Sequence, residues 1–243
     1  MIGFVLASGL IWHVVWALRI ASPAILPSPV EVLLAFPSFL APNRFLPDVV
    51  STVSRSMIAF VASVPIGLLS GFVVFNAGLF RSTGEFGVDF VRSIPATALV
   101  PVFLVIFGVG DSTKVAIGIF SSSLVICLST IGGLNARNCT RLHIATLLGI
   151  RSLRRLIYVD LPESSSQLFV GLRAGVSLSL ILVIVSEMFI GSNHGLGKAI
   201  NDMRYSDQTP KLYCAMLMAG VIGYTYNVML MVLENKLLHW RGR

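Results

Sequence analysis

Six stretches of this chain are nearly free of Asp, Glu, Lys and Arg, and they constrain its fold more than any other feature. They lie at residues 1–20, 56–80, 93–110, 115–136, 174–197 and 212–233. About 20 mostly apolar residues are enough for a helix to cross the hydrocarbon core of a bilayer. Backbone polar groups find no partner in lipid, so each crossing segment has to be helical. The composition agrees. Charged residues make up 12% and hydrophobic residues 55%, with a mean hydropathy of +0.85, whereas ordinary globular chains carry about 25% charged residues. The expected fold class is all-α: a polytopic membrane protein with about six transmembrane helices, in one domain over residues 1–243. These numbers exclude a disordered chain, a disulfide-stapled secreted domain and an ordinary cytosolic enzyme. The first stretch has neither a basic leading region nor a small-residue cleavage site before Pro23, Pro27 and Pro29. It therefore reads as a retained span and not as a signal peptide.

The net charge of +7 suggests nucleic acid at first sight, but the basic residues cluster in a way that fits a membrane topology better. The segment between the fourth and fifth stretches carries Arg137, Arg141, Arg151, Arg154, Arg155 and Arg173. Excess Lys and Arg mark cytoplasmic loops. An even number of spans then puts both termini in the cytoplasm, and no nucleic-acid partner is expected.

Catalytic and metal-binding patterns are absent. Cys127, Cys139 and Cys214 form no Cys-x-x-Cys pair. His13, His143, His194 and His239 are not spaced as metal ligands. The nearest approach to a Walker A loop is Gly197-Lys198, but Ser192 stands where its first glycine belongs and Ala199 follows the lysine. No catalytic residue, metal site or cofactor is assigned to this chain.

Within the spans, Pro65, Pro95 and Pro101 interrupt helical donors. Pro95 reads as helix-end geometry and Pro101 as a mid-span kink. Glycines 67, 71, 171, 175, 220 and 223 recur at spacings that let helices approach closely. Asp111 is expected to cap the fourth span. Ser122, in the Ser121–Ser123 run, either bonds helix to helix or lines a path. Glu187 is the one acid deep in a span. An intramembrane acid is costly unless paired or solvated, so it is expected to face the bundle interior, with a packing or gating role favoured over substrate contact.

The segment 137–173 is long for a connection. Leu147, Ile150, Leu153 and Ile157 recur at helical spacing, with Arg151, Arg154 and Arg155 on the opposite face. This predicts two amphipathic helices hinged at Gly149. Such a unit either lies on anionic lipid or docks a soluble partner, and docking is favoured.

At this segment the chain resembles the permeases of ABC importers, whose cytoplasmic loop reads Glu-Ala-Ala, a glycine four residues on, and an Ile/Leu-Pro further down. Here Gly149 and Leu161-Pro162 match that pattern. Other motifs are similar to the nitrate/sulfonate/taurine branch: Leu26-Pro-Ser-Pro29, Arg92-Ser-Ile-Pro-Ala-Thr-Ala-Leu-Val-Pro101, Phe107-Gly-Val-Gly-Asp111, Gly171-Leu-Arg173, Ser186-Glu-Met188 and Gly195-Leu-Gly197. They occur in order over about residues 26–240. There are departures. His143-Ile144-Ala145 stands at the Glu-Ala-Ala positions, and Ser164-Ser-Ser166 replaces a second proline.

The resemblance implies a permease subunit forming a translocation path in the bacterial cytoplasmic membrane. Its coupling residues would be His143, Ile144, Ala145, Leu148, Gly149, Arg151, Arg154, Leu161 and Pro162. Ser122, Pro101, Ser186 and Glu187 are candidates for the path or a gate. The implied partners are a cytoplasmic ATPase dimer that uses ATP, a second permease copy expected to form a homodimer with this one, and a periplasmic or lipid-anchored binding protein. The implied cargo is a small anion such as nitrate, a sulfonate or taurine. A vitamin-precursor importer and a scaffold or channel without ATP coupling are the alternatives.

Overall fold

The computed structural model describes residues 2–22, 24–40, 42–137, 139–150 and 152–238. Every regular element among them is helical: α1 (Ile2–Ala17), α2 (Pro29–Phe39), α3 (Pro42–Phe75), α4 (Arg81–Ser93), α5 (Val100–Phe107), α6 (Asp111–Asn135), α7 (Cys139–Leu147), α8 (Ser152–Arg155), α9 (Leu161–Ile190), α10 (Leu196–Tyr205) and α11 (Thr209–Leu237). A wide π turn, Leu156–Asp160, joins α8 to α9.

Among the described residues, four helical stretches are long and apolar enough to cross a membrane: Phe45–Phe75, Asp111–Asn135, Tyr158–Ile190 and Thr209–Leu237. Gly78–Ser93 and Ala96–Phe107 add a fifth if they count as one bent span, broken by 79°. The first apolar stretch is the 16-residue α1. The spans start and stop elsewhere than the charge-free runs do, because a paired charge does not end a helix. Arg55 pairs with Asp111 at 2.9 Å, and α3 begins well before residue 56. Arg173 pairs with Glu234 at 3.3 Å, and α9 begins at Leu161, so the last part of segment 137–173 is already span.

The third stretch departs from its expected form. Pro101 is not a mid-span kink; it lies in the first turn of α5, where a missing N–H costs no hydrogen bond. The bend falls at Ile94–Pro95. Ile94 is extended, with ψ 122°, as the residue before a proline prefers. Asp111 is also not the cap of α6. Gly110 holds that position, and Asp111 is the first helical residue, bound to Arg55 and, at 3.3 Å, to Lys114.

The chain folds as two compact units, Met1–Ser54 with Ile184–Ile222, and Arg55–Val183 with Gly223–Arg243. In the first, Val32, Phe39, Cys214 and Ala215 form a buried cluster joined by Trp12, Phe36 and Phe45. The motif around Pro27 builds its edge. The Trp12 indole donates to the Pro27 carbonyl at 3.1 Å. Ser28 then caps α2, accepting from the Glu31 amide while the Glu31 carboxylate accepts from the Ser28 amide. This reciprocal capping box sets the start of α2.

In the second unit α6 is the central helix, and glycines bring its neighbours close. A β-carbon at Gly67 would stand 2.6 Å from Ile126, and one at Gly71 would stand 2.6 Å from Thr130. From α9, one at Gly171 would stand 2.3 Å from Ser129. Gly175 takes a looser place, 3.1 Å from Ile126, whereas Gly220 meets nothing within 4 Å. Small residues on three helices thus replace side-chain bulk with backbone contact, the packing that holds membrane helices where no hydrophobic force separates them from lipid.

Candidate functional site

Two constellations carry the expected site residues. The first surrounds Glu187, near the end of α9. Its side chain is 1% exposed. Thr52, on α3 and fully buried, donates its hydroxyl to the carboxylate at 2.8 Å and 3.0 Å. The Gly197 amide donates to the same carboxylate at 3.0 Å. The Thr52 oxygen in turn accepts the Leu196 amide at 2.8 Å. One turn earlier on α3, Asp48 accepts the Gly195 amide at 2.8 Å, with the His194 ring 3.6 Å away.

These acceptors therefore take up backbone N–H groups at the start of α10 that no helical carbonyl can reach. A carboxylate at that position also complements the positive end of the helix dipole. Glycine is required at both flanking positions. Gly195 has φ +152°, and a β-carbon there would lie 2.5 Å from the Glu187 carboxyl carbon. One at Gly197 would lie 2.2 Å from the Ile184 carbonyl oxygen. The Ser186-Glu-Met188 and Gly195-Leu-Gly197 motifs are thus two halves of one contact. Ser186 is buried beside it, and its hydroxyl has no hydrogen-bond partner among the described residues.

The second constellation is the segment after α6. Its first helix, α7, ends in a Schellman turn. Gly149 takes φ +64°, and the Ile150 amide reaches back to the Ala145 carbonyl at 3.1 Å, the six-to-one bond of that motif. The two expected helices around Gly149 are present, but the second is not a separate amphipathic helix. α8 is four residues long and continues through the π turn into α9. The widened turn lies just before Pro162, which has no N–H to give back. Ala145 is buried, whereas His143, Ile144, Leu147, Leu148 and Gly149 are exposed, Leu147 to 86%. Arg154 is exposed, and Leu161 and Pro162 are half-buried. Arg151 lies outside the described residues. At the base of the segment Arg137 donates to the Asp160 carboxylate, and its guanidinium lies over the Phe75 ring.

The remaining path candidates belong to neither constellation. Ser122 is fully buried and donates to the Gly175 carbonyl at 2.8 Å, joining α6 to α9. Pro101 is exposed at the head of α5. Among the described residues no three His, Cys, Asp or Glu side chains come together as a metal site. Sequence reasoning missed Thr52 and Asp48. Both stand on the polar edge of an apolar helix, about 140 residues away from the loop they hold, and no local pattern flags them. The Ser28-x-x-Glu31 capping box went unread too, although its spacing is a local signal that could have found it.

Residues 28–239 match the family described as "Binding-protein-dependent transport system inner membrane component". The chain belongs to that family. It is a permease subunit of an ABC importer. The permease is 24% identical to the putative aliphatic sulfonates transport permease protein SsuC of Bacillus subtilis, over 96% of this chain and 84% of that one. It is 23% identical to the taurine transport system permease protein TauC of Escherichia coli, over 96% and 86%. It is 26% identical to the formylaminopyrimidine transport permease protein ThiX of Halalkalibacterium halodurans, over 99% and 95%. Its fold is similar to a chain of the inward-facing MetNI methionine ABC transporter, with TM-score 0.67 at 16% identity, covering 81% of this permease and 95% of that chain.

Proposed function

We propose that this permease forms, with a second copy of itself, the path by which a small anion such as a sulfonate or taurine enters the cell. Two copies of a separate cytoplasmic ATPase supply the energy, and an outer-face binding protein delivers the cargo. Both termini face the cytoplasm in this reading, and residues 1–243 act as one permease domain. The observation that carries the coupling role is the Gly149 turn: it displays Ile144, Leu147 and Leu148 together on a charged segment. Exposed apolar side chains in such a place are suited to a protein groove. Closure of an ATPase pair around two such turns shifts the permease between two states by differential contact.

Anion cargo is supported by the sulfonate and taurine permeases among the relatives. A pyrimidine vitamin precursor is the second reading, supported by the formylaminopyrimidine permease. A mild-detergent pull-down from the native membrane, read by mass spectrometry, tests the assembly. Recovery of a Walker-containing ATPase supports it, and recovery of the chain alone under ATP-trapping conditions overturns it. Uptake of labelled taurine against labelled formylaminopyrimidine separates the two cargoes. Gly149→Trp, whose β-carbon would meet no neighbour within 4 Å, is expected to insert normally and to abolish uptake.

A further inference from the structure

Two cavities of unlike chemistry meet at Phe72. One, of about 320 Å³, is a slot between α3, α6 and α9 lined by Pro65, Leu68, Leu69, Phe72, Leu134 and Leu161. Thr130 also borders it, but its hydroxyl is turned to the Ile126 carbonyl at 2.7 Å, so the slot presents almost no polar atom. Its length along α3, Pro65 to Phe72, corresponds to about 10 Å of helix. The other cavity, of about 260 Å³, opens between Phe72, Phe75, Asn76, Arg137, Arg155 and Asp160.

The charges in the second cavity do not balance. Arg137 is engaged on three sides: it donates Nε to the Leu134 carbonyl at 2.6 Å and Nη1 to the Asp160 carboxylate, and it stacks on Phe75. The Asn76 amide donates to the Phe72 carbonyl at 2.8 Å. Arg155 stands 3.6 Å from the same Asp160 oxygen, beyond hydrogen-bond reach, and its Nε is buried with no hydrogen-bond partner among the described residues. Two guanidinium groups thus share one carboxylate, leaving one net positive charge and one buried donor unsatisfied. A buried donor without a partner is costly.

We propose that these cavities together hold one anionic phospholipid, its phosphate on Arg155 beside Arg137 and the first part of one acyl chain in the apolar slot. The combination of a basic pocket and an adjoining apolar slot between membrane helices suits an anionic headgroup and its tail. A free anion would use only the polar cavity, and an uncharged lipid only the apolar one. The site stands on the side chains of this chain alone and does not depend on which solute is transported.

The test is native mass spectrometry of the full chain, purified in mild detergent, stripped of lipid and offered equal amounts of dioleoyl phosphatidylglycerol and dioleoyl phosphatidylcholine. One phosphatidylglycerol is expected per chain, favoured about fivefold, the factor for one Arg facing an anionic lipid. Arg155→Gln should remove that preference, and Arg154→Gln, an exposed control, should keep it. Leu69→Trp, which fills the slot, should lower retention of both lipids and reads the site even if the Arg155 variant fails to fold. Equal retention of the two lipids overturns the proposal, as does a preference that survives Arg155→Gln. Complete displacement by soluble glycerol phosphate would show a free-anion site and overturn it as well.

Discussion

Thr52 donates its hydroxyl to the buried Glu187 carboxylate at 2.8 Å while accepting the Leu196 amide at the same distance. One small side chain on α3 thereby ties the end of α9 to the start of α10. Removing it takes one donor from the buried Glu187 carboxylate and the side-chain acceptor from the Leu196 amide.

Thr52→Val keeps the shape and deletes the hydroxyl. The expected cost is about 1–3 kcal/mol, the penalty for leaving a buried polar group unsatisfied. It should appear as a lowered midpoint in thermal unfolding of the detergent-solubilised permease. Glu187→Gln, which keeps an acceptor for Gly197, should cost less than Glu187→Ala. An unchanged midpoint for Thr52→Val would show that this hydroxyl does not hold α10.

Gly197→Ala and Gly220→Ala are a matched pair. The first puts a methyl group 2.2 Å from the Ile184 carbonyl oxygen; the second meets nothing within 4 Å. The backbone of α9 and α10 has to separate for the first, so it is expected to lose folded protein at the membrane. The second is expected to be neutral or slightly stabilising, since alanine favours a helix by about 1 kcal/mol over glycine. Fluorescence-detected size exclusion of the two variants measures this, and equal profiles would refute the close contact.

At Gly149 the limit is backbone conformation, because the surrounding space is open. Gly149→Asn is expected to retain uptake, because asparagine enters the left-handed region readily. Gly149→Val is expected to strain the turn by about 1–2 kcal/mol and to unseat Leu148 from its position beside it. Uptake assays on the two variants at matched expression distinguish turn geometry from side-chain size; equal uptake would argue against the Schellman turn as the working element.

Ser122→Ala separates packing from passage. The hydroxyl is committed to the Gly175 carbonyl, and interhelical bonds of this kind contribute about 0.6 kcal/mol in membranes. A small drop in stability with normal uptake is therefore expected. A large loss of uptake at unchanged stability would place Ser122 on the translocation path instead.

Much of this was open to reading from the chain itself. The helical class follows from the apolar runs, because lipid offers the backbone no other partner. The glycine at 149 marked a break in the segment after α6, and a helix does stop at that glycine. The ends of the spans were harder to read. Arg55 and Arg173 look like helix boundaries only until Asp111 and Glu234 are seen beside them. Pro95 and Pro101 look alike in sequence, yet one breaks the third stretch and the other begins a helix, because the residue before Pro95 is extended while Pro101 falls in a first turn.

The order of residues alone determined that this chain is a set of membrane helices and that Glu187 needs a partner. Both follow from the cost of polar groups in an apolar medium, which any linear scan can register. Only the tertiary structure decided that its partners include Thr52 and the amide of Gly197, and that Arg155 has a donor unmet among the described residues. Such pairings depend on which helix faces which, and hydrogen bonds act over about 3 Å, so residues remote in sequence enter them with no mark in the local pattern.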